Sequence, residues 1–352
     1  MEATTALLAD PVFREHLAGR KHPERAERFD AVMEGLRAAN LMDALVRVAA
    51  RAATEEELLA CHTVEYLRAA RRDVESGRPY LSTGDTDITR NSWDVAAQAA
   101  GGTLNAVDAV ISGRARNAFC AVRPPGHHAT RGRGMGFCLL NNAALAARYA
   151  QRRHGLGRIL IVDWDLHHGN GTAETFYEDR QVLYFSTHQS PGYPGTGGLA
   201  EMGRGPGLGY TINVPLRPGA DDAFYVRVFR ELLCPVARMF RPEVILVSAG
   251  FDIYVGDPLG EMKVTPEGFA CLTRVLLNLA DECCNGRLVL VLEGGYNIQG
   301  LTKSVRAVLQ ELLGETRVTE ETLNRMTADT DETCSRLIGR VREKIGPFWP
   351  VF

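Results

Sequence analysis

Five short, uniformly apolar runs recur along this 352-residue chain, and each is followed closely by glycine, histidine, serine or an acid. The runs are Ala118 to Val122, Ile159 to Val162, Val182 to Phe185, Val244 to Val247 and Leu288 to Leu292. Strands this short and this apolar are buried on both faces, the condition of strands in a parallel sheet. Segments of helical period separate them, at Ser92 to Ile111, Leu139 to Arg153, Asp222 to Phe240, Pro266 to Cys283 and Gly300 to Leu313. The alternation predicts an α/β fold of three layers, with a mostly parallel central sheet and helices on both faces. The first 80 or so residues read as charged and helical. From about Thr319 the chain reads as an amphipathic helical tail ending in the apolar IGPFWPVF. The expected organisation is one domain over 1–352, with its core at about 20–315 and the tail at about 319–352.

A hydrophobic fraction of 45% excludes a disordered chain. Forty Lys and Arg against 43 Asp and Glu leave a formal charge of −3, so no bulk basic field draws the protein to nucleic acid or anionic membrane. No apolar run approaches the roughly 18 residues of a membrane span, and the first residues lack the pattern of a signal peptide. A cytoplasmic location is expected. The eight cysteines contain no C-x-x-C pair and read as buried thiols, so a metal would need other ligands.

The chemistry sits just past the strands. RPPGHH follows the first run and ends in His127 and His128; DWDLHHGNG follows the second and carries Asp163, Asp165, His167, His168 and Asn170. SAGFD ends in Asp252, and EGGYN carries Tyr296. Ligands of a parallel α/β sheet bind outside the carboxyl ends of its strands, so these clusters should share one crevice. Asp165-x-His167 with Asp252 from a neighbouring strand makes three ligands, which with water is a catalytic metal site suited to Zn²⁺ and open to Fe²⁺ or Co²⁺. The adjacent histidines form an acid/base pair in a loop stiffened by proline and glycine, and Tyr296 is a neutral donor for a developing oxyanion. Together these describe metal-assisted hydrolysis of a carbonyl compound.

These motifs, with GFC at Gly136 to Cys138, YPGTG at Tyr193 to Gly197 and GDP at Gly256 to Pro258, resemble the histone deacetylase and acetylpolyamine amidohydrolase superfamily, from about His22 to about Leu313. The resemblance implies an arginase-like α/β fold and a mononuclear zinc amidohydrolase of acylated amines. It makes Asp165, His167 and Asp252 the zinc ligands. His128 becomes the general base and then the acid for the leaving amine, with His127 in electrostatic support and oriented by Asp163. Asn170 takes the place of the second histidine's partner, an Asp in class I and an Asn in class II, so the chain looks class II-like. Tyr296 would stabilise the oxyanion and the Gly136 carbonyl would accept the substrate amide hydrogen. Phe137 falls on one tunnel wall and Tyr193, where most relatives carry Phe, on the other; Asp85 and Leu259 are assigned to substrate binding. The resemblance also implies a structural potassium ion at Asp163 and main-chain oxygens of Asp165, His167 and Ser186, and a second near Phe176, Val182 and Tyr210.

Arginase itself does not fit. Its two-metal motifs need a third acid where this chain has Gly169 and Tyr254. A non-catalytic binder of acetyl-lysine would lack a ligand, the histidine pair or Tyr296, and none is missing. The substrate is then an acetylated lysine in a peptide or protein, or a small acylated amine such as an acetylpolyamine. In polyamine-selective relatives an acid follows the Asp-Pro of GDP, where this chain has Leu259; Glu261 stands two residues on. The apolar tail end, with Phe348 and Trp349, can dock on its own domain or on a neighbouring copy, so a homo-oligomer is compatible with the sequence.

Overall fold

The computed structural model describes residues 4–352. Eight strands form one sheet: β1 (Thr5–Leu8), β2 (Leu45–Val48), β3 (Asn117–Cys120), β4 (Ile159–Asp163), β5 (Val182–Gln189), β6 (Thr211–Leu216), β7 (Val244–Ala249) and β8 (Leu288–Leu292). Their order is β2-β1-β3-β8-β7-β4-β5-β6, and every pairing is parallel. The residues of β3, β4, β7 and β8 are all buried, as uniformly apolar strands between helical layers must be. The α/β three-layer expectation therefore holds.

The amino-terminal 80 residues hold the expected helices, at Glu27–Ala38, Glu55–Leu58 and Val64–Glu75, but are not helical throughout. They contribute β1 and β2, so the buried core begins at Thr5 rather than near residue 20. β1 reads TALL and β2 reads LVRV, each with a polar or charged residue among its four, so neither shows as a uniformly apolar run. The third unforeseen strand, β6, includes Pro215, which lacks a ladder donor and is tolerated because β6 is an edge strand. The helix expected over Asp222 to Phe240 is interrupted. A wide π turn at Phe229–Leu233 joins helices Asp222–Val228 and Cys234–Phe240, and Pro235, opening the second, removes a regular backbone donor.

The tail forms helices Glu320–Ala328 and Glu332–Ile345. Beyond them Trp349 is buried on its own chain. Its indole Nε1 donates to the Gly209 carbonyl at 2.7 Å, and its ring meets Tyr210 and Phe240 edge-on. Among the described residues, no helix is long and apolar enough to cross a membrane.

Loops past the strands are held by buried neutral histidines. His62 Nδ1 donates to the Thr130 carbonyl at 3.0 Å, while Nε2 accepts from the Asn141 amide at 3.1 Å. His62 thereby fixes both ends of the glycine-rich segment that follows His128. Burial lowers its pKa to about 4 from 6.5, despite the opposing pull of the Thr130 carbonyl. Because the folded value lies below the unfolded one, this contribution is present above pH 6.5 and is lost as pH falls towards 4. Comparing urea midpoints of wild type and His62→Gln at pH 7.5 and pH 4.5, we expect the wild-type advantage to shrink by about 2–3 kcal/mol at the lower pH. Parallel pH profiles of the two proteins would contradict a buried neutral His62.

Candidate active site

Loops after five adjacent strands, β3, β8, β7, β4 and β5, meet at the carboxyl edge of the sheet. β4 ends at Asp163, and Asp165 and His167 follow on the extended segment beyond it. β7 delivers Asp252 beside them. One ligand atom from each of Asp165, His167 and Asp252 lies within 4.8 Å of the other two, and no other group of three such residues meets this test among the described residues. His167 Nδ1 lies 3.1 Å from Asp165 Oδ1 and 3.3 Å from Asp252 Oδ2.

This donor set fits a divalent cation. Both carboxylates are fully buried, and Asp252 Oδ2 has no hydrogen-bond partner. Their other oxygens are occupied: Asp252 Oδ1 accepts from the Leu166 amide at 3.0 Å, and Asp165 Oδ2 from the Gly294 amide at 2.8 Å. Gly294 is required sterically, since a Cβ there would lie 2.1 Å from Asp252 Oδ2. With no cation among the charges, burial and the Asp165 carboxylate raise the Asp252 pKa to about 7. His167 rises to about 10 against the opposing effect of burial, drawn up by Asp165 and Asp252. Two buried acids around one imidazole form a site deficient in positive charge.

The histidine pair lies beside this cluster. His127 Nδ1 bonds Asp163 Oδ2 at 3.0 Å, and His128 Nδ1 bonds Asn170 Oδ1 at 2.8 Å. Both Nδ1 atoms face oxygens, so the tautomers place the proton there and leave His128 Nε2 free to accept. The two rings are driven apart electrostatically. Burial disfavours the charged form of each, but Asp165 and Asp163 hold His127 well above 6.5, while His128, beside His127 and His167, falls well below it. One histidine is thus positive and the other a neutral base.

Tyr296 is 8% exposed, and its phenol is held well above its usual pKa, chiefly by burial. Its backbone is fixed by Asp257, whose Oδ2 accepts from the Tyr296 amide at 2.7 Å and the Asn297 amide at 3.0 Å. Gly136 takes φ +56°, and a Cβ there would lie 2.3 Å from the His128 ring, so glycine alone lets this backbone pass the base. The Phe137 ring contacts Tyr296 at 5.9 Å, and Tyr193 stands edge-on to His128 at 5.1 Å. Asp85 bonds both the Gly136 amide and the Tyr193 hydroxyl; Leu259 is 39% exposed on the loop that carries Asp257.

Asp163, the last residue of β4, is the register partner of Ser186 in the middle of β5. Phe176, Val182 and Tyr210 lie elsewhere: Val182 opens β5 and Tyr210 precedes β6, at the amino edge of the sheet.

Three supporting residues carried no role in the sequence reading. Glu293 Oε2 accepts from the Gly126 and His127 amides at 2.6 and 3.1 Å, pinning the histidine loop to the end of β8. Asp257 pins Tyr296. Arg28, fully buried, donates to the carbonyls of Glu293 at 2.5 Å and Gly295 at 2.7 Å, and lies over the Tyr296 ring. Glu293 and Asp257 stand inside motifs that were noticed, EGGYN and GDP; Arg28 stands in none.

Comparison with known proteins agrees with this geometry. Residues 22–312 match the histone deacetylase domain. A protein of Archaeoglobus fulgidus named "Probable deacetylase" is 42% identical over 298 residues, covering 84% of this chain and 82% of that protein. The human polyamine deacetylase HDAC10 is 44% identical over 303 residues, covering 83% of this chain but only 45% of that longer protein. Among solved structures, the HDA15 HD domain superposes with a TM-score of 0.90 at 37% identity, covering 99% of this chain and 96% of that one. With the family's domain spanning most of the chain and its fold matched throughout, the protein belongs to the histone deacetylase family.

Proposed function

We propose that this protein is a zinc-dependent amidohydrolase that removes acetyl groups from the ε-amine of lysine in peptides or proteins and releases acetate. The observation that carries the proposal is the buried Asp165–His167–Asp252 cluster beside a neutral base, His128. A divalent cation held there would polarise the substrate carbonyl and activate a water molecule. Asp165, His167 and Asp252 are its ligands, with Fe²⁺ and Co²⁺ chemically acceptable in place of Zn²⁺. Potassium at Asp163 and at main-chain oxygens of Asp165, His167 and Ser186 belongs to the same proposal; the Asp163 carboxylate is fully buried there and already bonded to His127.

His128 Nε2 takes the proton of the attacking water as its oxygen bonds to the carbonyl carbon. The same nitrogen returns the proton to the amine as the C–N bond breaks. His127, positively charged against Asp163 and Asp165, stabilises the negative charge that develops. The Tyr296 hydroxyl donates to the oxyanion, and the Gly136 carbonyl accepts the substrate amide hydrogen. Phe137 and Tyr193 line the tunnel for the lysine methylenes, and Asp85 meets the substrate at the mouth. Incubation with an acetyl-lysine peptide should release acetate and lose that activity with a chelator; a preparation unaffected by metal removal would defeat the proposal.

Acetylpolyamines are the competing substrates, favoured by the 44% identity to a polyamine deacetylase. The mouth argues for lysine. Leu259 offers a second ammonium no charge partner, and the backbone of Glu261 is tied away from it: its amide donates to Gln189 Oε1 at 3.0 Å and its carbonyl accepts from the Gly219 amide at 3.0 Å. Two outcomes follow from these assignments. Tyr296→Phe should lower kcat about 10²- to 10³-fold with metal content unchanged, measured by acetate release and metal analysis; an unchanged rate would remove Tyr296 from the chemistry. Acetyl-lysine peptides should exceed N8-acetylspermidine in kcat/KM, and Leu259→Glu should narrow the gap about fivefold, the effect of one exposed charge pair of about 1 kcal/mol. A wild-type preference for acetylspermidine that is lost in Glu261→Ala would reverse the assignment.

A further inference from the structure

The glycine-rich segment after His128 carries two arginines to the surface on a fixed backbone. The Thr130 amide donates to the Arg133 carbonyl at 2.9 Å, the Thr63 amide to the Arg131 carbonyl at 2.9 Å, and the Arg131 amide to Glu174 Oε1 at 3.2 Å. With His62 on the Thr130 carbonyl, the turn is held along its length. Its guanidinium groups are not held. Arg131 and Arg133 are exposed, and among the described residues neither side chain has a carboxylate within 4.0 Å. Nearby Arg148 and Arg204, by contrast, pair with Asp179 and Glu178.

The two arginines occupy different places. Arg131 lines a surface cavity with Glu174, Glu178 and Arg204. Arg133 lies against Gly84, where a Cβ would be 3.4 Å from its Nε and 1.9 Å from the Gly134 carbonyl oxygen, so only glycine lets the two segments meet. Gly84 directly precedes Asp85, which joins the Gly136 amide to the Tyr193 hydroxyl, and this puts Arg133 at the tunnel mouth. Burial and Asp85 raise the pKa of the Tyr193 phenol, and the Arg133 charge opposes them. On the loop that carries Asp257 the exposed residues Val255 and Leu259 are uncharged. Asp85 spends one oxygen on the Gly136 amide and the other on the Tyr193 hydroxyl, so Arg133 keeps its donors for a ligand. A guanidinium matches a carboxylate through paired N–H donors, and a backbone already held in place lowers the cost of ordering it. We propose that Arg133 is a specificity-determining residue that selects peptides with an aspartate or glutamate within two residues of the acetyl-lysine. The inference deepens the lysine deacetylase reading and rests on it.

Kinetics are measured on two acetyl-lysine peptides that differ only in carrying Asp or Asn on either side of the acetyl-lysine. Wild type should favour the Asp peptide about three- to fivefold in kcat/KM at low ionic strength, through KM, and lose most of that preference in high salt. The preference should vanish in Arg133→Gln and persist in Arg131→Gln, which removes the same charge away from the mouth. In Arg133→Glu a Lys-flanked peptide should overtake the Asp peptide. A wild type indifferent to the acid, a preference that survives Arg133→Gln, or one lost in Arg131→Gln would overturn the inference. Fluorescence anisotropy of the two labelled peptides supplies a readout apart from turnover, and their Kd values should show the same preference and the same loss. Hydrolysis of both peptides at equal kcat/KM would remove Arg133 and leave the deacetylase reading standing. Tighter binding of the Asp peptide, lost in Arg133→Gln, with neither peptide hydrolysed would sink the deacetylase reading and keep the rim contact.

Discussion

Two carboxylates, Asp165 and Asp252, are buried together at the carboxyl edge of a parallel sheet, and much of the surrounding structure exists to hold them there. Their mutual repulsion in a medium of low dielectric is unfavourable until positive charge is placed between them. Within the chain, only part of that charge is supplied. His167 lies within 3.3 Å of both, and His127 Nε2 approaches Asp165 to 3.7 Å. Backbone amides of Leu166 and Gly294 take the outward oxygens, which aims the remaining ones at a common point. The same field charges His127, and the two neighbouring imidazoles keep His128 neutral, so the acid/base asymmetry of the histidine pair follows from the acid pair beside it.

Holding this charge requires a rigid frame, and an ionic brace behind the site supplies it. Glu24 takes Arg123 through both carboxylate oxygens at 2.6 Å and Arg28 at 2.9 Å, with all three side chains fully buried. The arginines hold the Glu24 pKa down to about 2 despite burial. Arg123 also reaches the carbonyl of Phe13, and Arg28 those of Glu293 and Gly295. The amino-terminal segment, the histidine loop and the tyrosine loop are thereby joined through one buried network, in which removal of a single member strands a charge.

Much of this was legible in the sequence, for a physical reason. Central strands of a parallel sheet are continuous apolar runs, and site residues follow them directly, so Ile159 to Val162 announced both β4 and Asp165. Edge and short strands give no such signal: β2 reads LVRV, and β6 carries a proline. Asp165, His167, Asp252, the histidine pair and Tyr296, which the fold brings together, stood out because the proposed metal binding and proton transfer need particular residue types. Glu293, Asp257 and Arg28 were given no role because they work on backbone amides and carbonyls, and any sequence offers those at every position. The tie from Tyr193 to Asp85 spans 108 residues and exists only once the fold brings the loops together.

The account stands on the claim that the acid pair is completed by one divalent cation. Calorimetric titration of Zn²⁺ into the chelator-stripped protein at pH 6, repeated in buffers of different ionisation enthalpy, tests this directly. One ion should bind per chain with net proton release, because the buried cluster raises the proton affinity of Asp252 and of His167, and a proton held there must leave for the cation to bind. Asp252→Asn should abolish the high-affinity phase. No saturable binding, or binding of equal affinity in Asp252→Asn, would contradict the account.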